Sequence, residues 1–446
     1  MEEYLLRDEI YDIESDCANA GVSLELLQVA RSYLYIYMRN VSTDIAPKNK
    51  YRKFRLILKL PRALFDFIRF ILSKKTILAV GSAKHRSFAV GNTKINKNLD
   101  SIGYYLRKKL KEDPLLVEFG PLASNPPLNI LWFDLVVDVL KRCIRLEIAD
   151  IEKIDRLVSV LGSEARSKGI IRDQSFERNL RHWAIGYYKK FYLYRWLFQR
   201  KEFSKLYCSV YYDPNMLAML KAAKESGIYT IEYQHGIQNQ MHPMYNSLSL
   251  YTDEKSALPD CFWVWDTVAE KRLCAATCDQ RKIEVVGQLW QAFYETEIAK
   301  SVRAFPARED LQQNKVVLIA LQGFPRFFNF EVLESLRALS DDWLIIIREH
   351  PLHPLSLEQR NEYFSQQDYE APIKFSPSQE SLESIFAVAD VCISGFSTVC
   401  YEAKVSGVKA VFTHPLARQG LGAYIDGKSL YYVSDRNQLN EILAAI

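Results

Sequence analysis

Glycine and proline are scarce in this 446-residue chain, 17 and 16 residues, which excludes a collagen-like or low-complexity polymer. Long hydrophobic runs are missing as well. The longest candidate, residues 129–140, is shorter than the roughly 18–20 residues needed to cross a bilayer and carries Asp134 and Asp138. The start, Met1-Glu2-Glu3-Tyr4, has no apolar h-region, so no cleaved secretory signal is expected. Charge of one sign is not in large excess. A net +4 over this length gives no global nucleic-acid signature, and no nucleic-acid partner is expected. The eight cysteines are scattered. Cys274 and Cys278 are the one close pair, and no second Cys/His pair of zinc spacing accompanies them. Reduced structural thiols and a cytoplasmic location follow as expectations.

What is present is a globular composition, 48% apolar and 25% charged, with 26 Tyr and 23 Phe. The length suggests two domains with an added segment. Residues 1–75 read as a helical segment. Its end, 50–75, holds Lys50, Arg52, Lys53, Arg55, Lys59, Arg62, Arg69, Lys74 and Lys75 against a single acid, Asp66, with Phe54, Leu56, Ile57, Leu60, Leu64, Phe65, Phe67, Ile68, Phe70 and Ile71 between them. Such a basic amphipathic stretch suits either an anionic membrane face or a helix packed on the next domain with its basic side in water. Pro61 interrupts the helical pattern.

From residue 76 the pattern turns to βαβ alternation, which means parallel sheets covered by helices. Strands are expected at 76–82, 115–119, 206–211 and 228–233, helices at 99–110 and 215–226, and a mainly helical stretch over 128–198. After a polar stretch near 300–314 a second series begins, with strands at 315–321, 343–348, 391–394, 409–413 and 431–434. Helices at 330–339, 381–389, 398–406 and 438–445 alternate with them, and Gly407 sits where a helix C-cap belongs. The division is an N-terminal segment 1–75, an acceptor-side domain 76–300 with a helical insertion, and a donor-side domain 301–446. The fold class is α/β, two Rossmann-like doubly wound domains.

In open parallel sheets ligands bind beyond the carboxyl ends of the strands. Four strand exits carry the informative residues. Ser394-Gly395-Phe396-Ser397-Thr398 joins an apolar strand to a helix, so Ser397 or Thr398 caps it and free amides with the positive helix end make an anion site. Glu402 lies one turn further in on the same face, where a carboxylate can accept both hydroxyls of a ribose. The plainer reading is a capped turn with a surface glutamate. Glu349-His350-Pro351 ends another strand, and the proline stops it so that His350 can donate to a phosphate oxygen. His353-Pro354 competes for that role. Gln234-His235-Gly236 offers His235 as a general base on an acceptor hydroxyl, against a turn histidine with a structural glycine. Gln322-Gly323-Phe324 is the fourth exit. Lys84, His85 and Arg86, in the first loop, can grip an anionic acceptor or form a solvated basic loop.

The C-terminal third resembles the GT-B glycosyltransferases of bacterial surface polysaccharide synthesis. The capsule-type Kdo and sialic acid transferases are nearest, and the polyol-phosphate polymerases more distant. The resemblance implies two Rossmann-like domains facing a cleft. It implies that His350 and Pro351, then Ser397 and Thr398, hold the CMP part of a donor, with Glu402 on the ribose. The sialyltransferases carry an acidic pair before glycine as their catalytic motif. Here Gln234-His235-Gly236 stands in that place, and its His-Gly is similar instead to the polymerases. No Asp-x-Asp closes an apolar strand as a metal-diphosphate site would, so neither a metal nor a cofactor is expected. Gly323, Arg326 and Arg348 are further candidates for the nucleotide phosphates. The expected activity is sugar transfer from a nucleotide donor, a CMP-linked acidic sugar first and UDP-sugars next. The acceptor would be a surface glycan or lipid-linked precursor at the inner membrane face. Polyol-phosphate transfer, UDP-sugar epimerisation and a non-catalytic glycan-assembly role are the alternatives.

Overall fold

The computed structural model describes residues 2–40, 52–90, 93–121, 127–171, 175–251, 256–278, 280–301, 305–322, 324–325, 328–350, 354–376 and 380–446. Two units emerge, Met1–Thr296 and Glu297–Ile446. Each is α/β around one main parallel sheet.

Three helices open unit 1: α1 (Glu2–Asn19), α2 (Leu24–Asn40) and α3 (Arg52–Leu72). Its strands are β1 (Ile77–Ser82), β2 (Arg86–Val90), β3 (Thr93–Asn96), β4 (Leu115–Phe119), β5 (Ile130–Trp132), β6 (Lys205–Cys208), β7 (Tyr229–Tyr233), β8 (Cys261–Val264) and β9 (Lys282–Val285). The seven-stranded sheet runs β5-β4-β1-β6-β7-β8-β9, and β2 with β3 forms a separate antiparallel hairpin. Strand alternation sends successive residues to opposite faces. In β1, Leu78 and Val80 join the core under the helices of the N-terminal half, while Ile77 and Ala79 join the core on the other face. The three opening helices share that first core through Ile10, Leu27 and Phe70, so they are built into unit 1.

Pro61 does not break α3. A mid-helix proline costs one backbone hydrogen bond, and tertiary anchoring offsets the loss. Asp66 is fully buried, accepts from Arg62 and Arg69, and takes the backbone N–H of Trp132 at 3.0 Å. Arg62 donates to the carbonyl of Ile130 at 3.0 Å. These bonds satisfy part of the open side of β5, the edge strand of the sheet, which would otherwise expose unpaired backbone groups. The basic residues of this stretch therefore turn partly inward, where a solvated basic side was one expectation.

Unit 2 carries β10 (Lys315–Ala320), β11 (Trp343–Arg348), β12 (Ile373–Ser376), β13 (Val391–Ser394), β14 (Lys409–Phe412) and β15 (Leu430–Tyr432). Their order is β12-β11-β10-β13-β14-β15, all parallel. β11 and β13 are buried along their whole length, as strands covered by helices on both faces must be. Gly407 follows helix Thr398–Val405 with φ +84, the left-handed conformation its expected place demands. In chain order the strands run 3-2-1-4-5-6, the doubly wound arrangement in which direction reverses between the first and fourth. That switch point lies between β10 and β13. The larger sheet has the same reversal between β1 and β6.

The structure adds elements that local pattern did not announce. β5 lies inside the stretch expected to be helical, and β8, β9, β12 and the β2–β3 hairpin were not expected. Each is three to five residues long, too short for periodicity to separate strand from loop.

Candidate functional site

Unit 2 builds its candidate site on the carboxyl edge of its sheet. Ala320 of β10 pairs with both Arg348 of β11 and Ser394 of β13. Those two residues therefore stand level, roughly 10 Å apart across two strand spacings. His350 lies two residues beyond the first and Ser397 three beyond the second, on the same edge. Ser397 caps helix Thr398–Val405 by accepting the amide of Val399 at 3.3 Å, and its own backbone is extended. Thr398 opens the helix, and Glu402 lies one turn in. Both are half-buried. The turn is braced from the next strand, since the amide of His414 donates to the carbonyl of Gly395 at 3.1 Å. This is the geometry of an anion-binding turn: extended backbone, then amides at the positive end of a helix.

Three neighbours complete this edge. Arg348 is buried and donates to Ser376 Oγ at 2.9 Å. Burial lowers its pKa, and the carboxylates of Glu380 and Glu383 oppose that. Glu349 is taken up by the two-pronged guanidinium of Arg360 at 2.9 and 2.8 Å, which leaves His350 as the strand-end side chain of that exit. Gln322 follows β10 at the switch point, and its buried Oε1 has no hydrogen-bond partner among the described residues. Of the residues expected here, Pro351, Gly323 and Arg326 lie outside the described residues, as does His353. His414 was not among the candidates. Its Nδ1 accepts the amide of Leu416 at 3.2 Å, so the ring proton sits on Nε2, and the ring packs 5.8 Å from Phe396. The dipeptide His414-Pro415 after an apolar strand is the signal that singled out His350.

Unit 1 gathers its candidates at the corresponding edge. His85, in the turn after β1, and His235, after β7, are 150 residues apart in sequence. Their rings lie nearly parallel with centroids 6.4 Å apart. Asn98 donates to His85 Nδ1 at 3.2 Å. Burial and the neighbouring Lys84 lower the His85 pKa. His235 is half-buried, with the rings of Tyr212, Tyr245 and His85 around it. Burial, with His85 beside it, pushes His235 down to about 3. It is neutral throughout the physiological range and has a lone pair available for a proton.

Behind His235 stands a residue the motif search passed over. Glu232 is fully buried within β7, and burial pushes its carboxyl up to about 8. Its Oε1 accepts the amide of Tyr211 at 3.0 Å and the hydroxyl of Tyr245 at 2.7 Å, while Oε2 has no hydrogen-bond partner among the described residues. Tyr245 has one proton and gives it to Glu232. At 3.4 Å from His235 Nδ1 its oxygen is then the acceptor, which directs the His235 lone pair to Nε2. The chain Glu232–Tyr245–His235 fixes a tautomer as the acid of a hydrolase triad does, with a phenol in between. It also explains Val210, whose φ of +60 strains a β-branched side chain just after β6. The amides of Val210 and Tyr211 both turn toward Glu232. The opening helices reach this chain too. Buried Arg31 of α2 pairs with Glu14 and donates to the carbonyls of Pro243, Asn246 and Ser247 at 3.2, 3.1 and 3.0 Å, holding the loop that presents Tyr245.

Lys84 is exposed beside His85. Arg86 belongs to the scaffold. It is buried, donates to both Glu118 oxygens at 2.9 and 3.0 Å and to Asp100 at 3.0 Å, and so braces the loop from below. Burial works against its charge, but those carboxylates outweigh it and the pKa is raised. A guanidinium so occupied has no donor fork turned to a ligand. Among the described residues no group of three His, Cys, Asp or Glu side chains is placed to hold a metal ion. None of the eight cysteines is in a disulfide, and all eight are among the described residues.

No known protein family matches the sequence, and no curated protein does. Solved structures share its general architecture at low identity. UDP-GlcNAc 2-epimerase from Neisseria meningitidis is 13% identical over 82% of this chain and 90% of its own, with a TM-score of 0.46. The lipopolysaccharide outer core galactosyltransferase WaaB is 10% identical over 82% and 88%, TM-score 0.44. The wall teichoic acid polymerase TagF is 11% identical over 89% and 88%, TM-score 0.38. At these scores the likeness carries no weight for function, which rests on the side chains of the two sheet edges.

Proposed function

We propose that this chain is a GT-B-type, nucleotide-sugar-dependent glycosyltransferase whose donor nucleotide is held by unit 2. The observation that carries the reading is the switch point of the 3-2-1-4-5-6 sheet. Its exits supply a capped helix start at Ser397 and Thr398, a carboxylate one turn in at Glu402, and strand-end histidines at His350 and His414. Phosphate at the helix start meets amides, the helix dipole and Nε2–H donors. These groups stabilise the negative charge that grows on the leaving phosphate as the bond between the anomeric carbon and the phosphate oxygen breaks. Glu402 accepts the ribose hydroxyls.

The acceptor half belongs to unit 1. His235 takes the proton of the attacking hydroxyl at Nε2 as its oxygen bonds to the anomeric carbon, and Tyr245 and Glu232 hold the ring in the required tautomer. Lys84 and His85 present positive charge and a ring N–H to an anionic acceptor. The donor proposed first is a CMP-linked acidic sugar, and the acceptor a bacterial surface glycan or its lipid-linked precursor on the cytoplasmic side. Polyol-phosphate transfer keeps the same His235 role with a CDP-linked donor, and UDP-sugar epimerisation uses the same nucleotide site without an acceptor.

The test is thermal stability of the purified protein titrated with CMP, UDP, CDP and GDP. A ligand at a hundred times its Kd stabilises the fold by about 2.7 kcal/mol. CMP is expected to act most strongly, and Glu402→Ala and His350→Ala each to weaken binding about tenfold, the loss of one charge-assisted hydrogen bond. A preference for CDP or UDP selects polyol-phosphate transfer or epimerisation. No shift with any nucleotide, or unchanged affinity in both variants, refutes the site and leaves the non-catalytic reading.

A further inference from the structure

Helix α3 wears its amphipathic pattern inside out. Its inward face mixes a small residue, a charge and two rings: Ala63 and Asp66 are fully buried, and Phe67 and Phe70 pack on Phe133. The face turned to water is apolar. Leu58 is 67% exposed, Phe65 56%, Ile68 55% and Leu72 73%, with Leu64 and Ile71 close behind. Spacings of three, four and seven residues place these six on one side of the helix. Leu128, also 73% exposed, adjoins them, since its carbonyl accepts from Arg69 at 2.6 Å. On the order of 600 Å² of apolar surface is open here, at the upper end of what an ordinary monomer shows.

Basic residues predominate in the sequence of this stretch. Within residues 50–75 nine Lys and Arg stand against one acid, Asp66. That acid is wholly buried and spent on Arg62, Arg69 and the Trp132 amide. Arg69 lies with its guanidinium carbon 5.6 Å from the centre of the Phe65 ring, at the margin of the apolar face. Lys74 is exposed just past the helix end.

We propose that the outer face of α3 docks on an anionic lipid bilayer, its apolar side chains in the acyl boundary and its basic residues among the headgroups. An apolar stripe edged by cations, with no exposed carboxylate on the helix among the described residues, has the form of an interfacial helix. No helix among the described residues is long and apolar enough to cross the membrane, so the contact is a surface one. A second copy of the chain fits less well. Two-fold pairing of this face would set one cationic rim against another.

The experiment is co-sedimentation of the full chain, without nucleotide, on vesicles of phosphatidylcholine with and without phosphatidylglycerol. Binding is expected on the phosphatidylglycerol vesicles, weaker on phosphatidylcholine alone, and reduced by salt. Phe65→Asp combined with Ile68→Asp should lower that binding at least about tenfold, while the circular dichroism melt and the thermal response to nucleotide stay as in the wild type. Wild-type protein left in the supernatant overturns the proposal, as does equal binding to both vesicle types. A dimer by light scattering that the double substitution dissolves overturns it in favour of self-association. Because the readout needs no nucleotide, it succeeds or fails independently of the site in unit 2.

Discussion

Replacing Glu232 by glutamine removes one charge and keeps the acceptor that Tyr211 and Tyr245 use. In the fold the carboxyl titrates at about 8, against 4.5 in an ordinary setting. Above pH 4.5 the unfolded chain releases a proton that the folded chain keeps. The folded state then binds more protons, so stability is lost as pH rises from 4.5 to 8. The ceiling is (8 − 4.5) × 1.36, about 5 kcal/mol. His235 acts from the other side. Its folded value of about 3 lies below the ordinary 6.5, so the unfolded chain takes up a proton first and stability is lost as pH falls from 6.5 to 3. Between pH 4.5 and 6.5 these two contributions oppose each other.

Glu232→Gln removes the Glu232 contribution over the whole window from pH 4.5 to 8 and leaves that of His235. Between pH 4.5 and pH 8 the variant should gain about 4 kcal/mol on the wild type. At low pH it should sit within about 2 kcal/mol, since an amide nitrogen at the partnerless Oε2 position costs about what any unsatisfied group costs. Urea unfolding followed by tryptophan fluorescence is a suitable assay, because six of the seven tryptophans belong to unit 1 and Trp343 alone to unit 2. Parallel pH profiles for the two proteins would mean that Glu232 is ionised in the fold at neutral pH, and its reading as a carboxyl that burial keeps protonated would be refuted.

Arg86→Ala leaves Glu118 buried without its counter-charge and should destabilise unit 1 by about 3–5 kcal/mol in the same assay; a loss below about 1 kcal/mol would return Arg86 to the loop surface as a ligand contact. Tyr245→Phe removes the link between Glu232 and His235 but little volume. It should lower kcat by about 10²-fold with nucleotide affinity unchanged, and an unaltered kcat together with an unaltered pH–rate profile would show that His235 is oriented by other means.

Much of the scaffold could be read from local chemistry. Buried parallel strands declare themselves as short Val- and Ile-rich runs, and 343–348 and 391–394 begin and end where that pattern does. Caps and stops are equally local. Ser397 before an apolar helix and Gly407 after it satisfy orphan backbone groups within a few residues. The strand exits followed from these, because ligand edges of parallel sheets lie just past the last apolar residue. The short strands β5, β8, β9 and β12 escaped, since their identity depends on partners far along the chain.

The sequence alone determined the two α/β series, the residues at the strand ends and the unusual charge and aromatic content of 50–75. Each of these is set by interactions within a few residues or by composition. Only tertiary structure decided what such residues face. Arg86 and Lys84 are two positions apart in one basic loop, yet one is sunk between carboxylates and the other is exposed. Glu232 in its strand carries no local mark of a proton-holding acid; its pKa comes from burial under Tyr211 and Tyr245, brought in from elsewhere in unit 1. The outward apolar face of α3 is settled by Asp66, which turns the arginines toward the edge of β5 and leaves Leu58, Leu64, Phe65 and Leu72 outside. Burial and long-range pairing depend on the whole unit, and a periodicity along one helix cannot say which side will be inside.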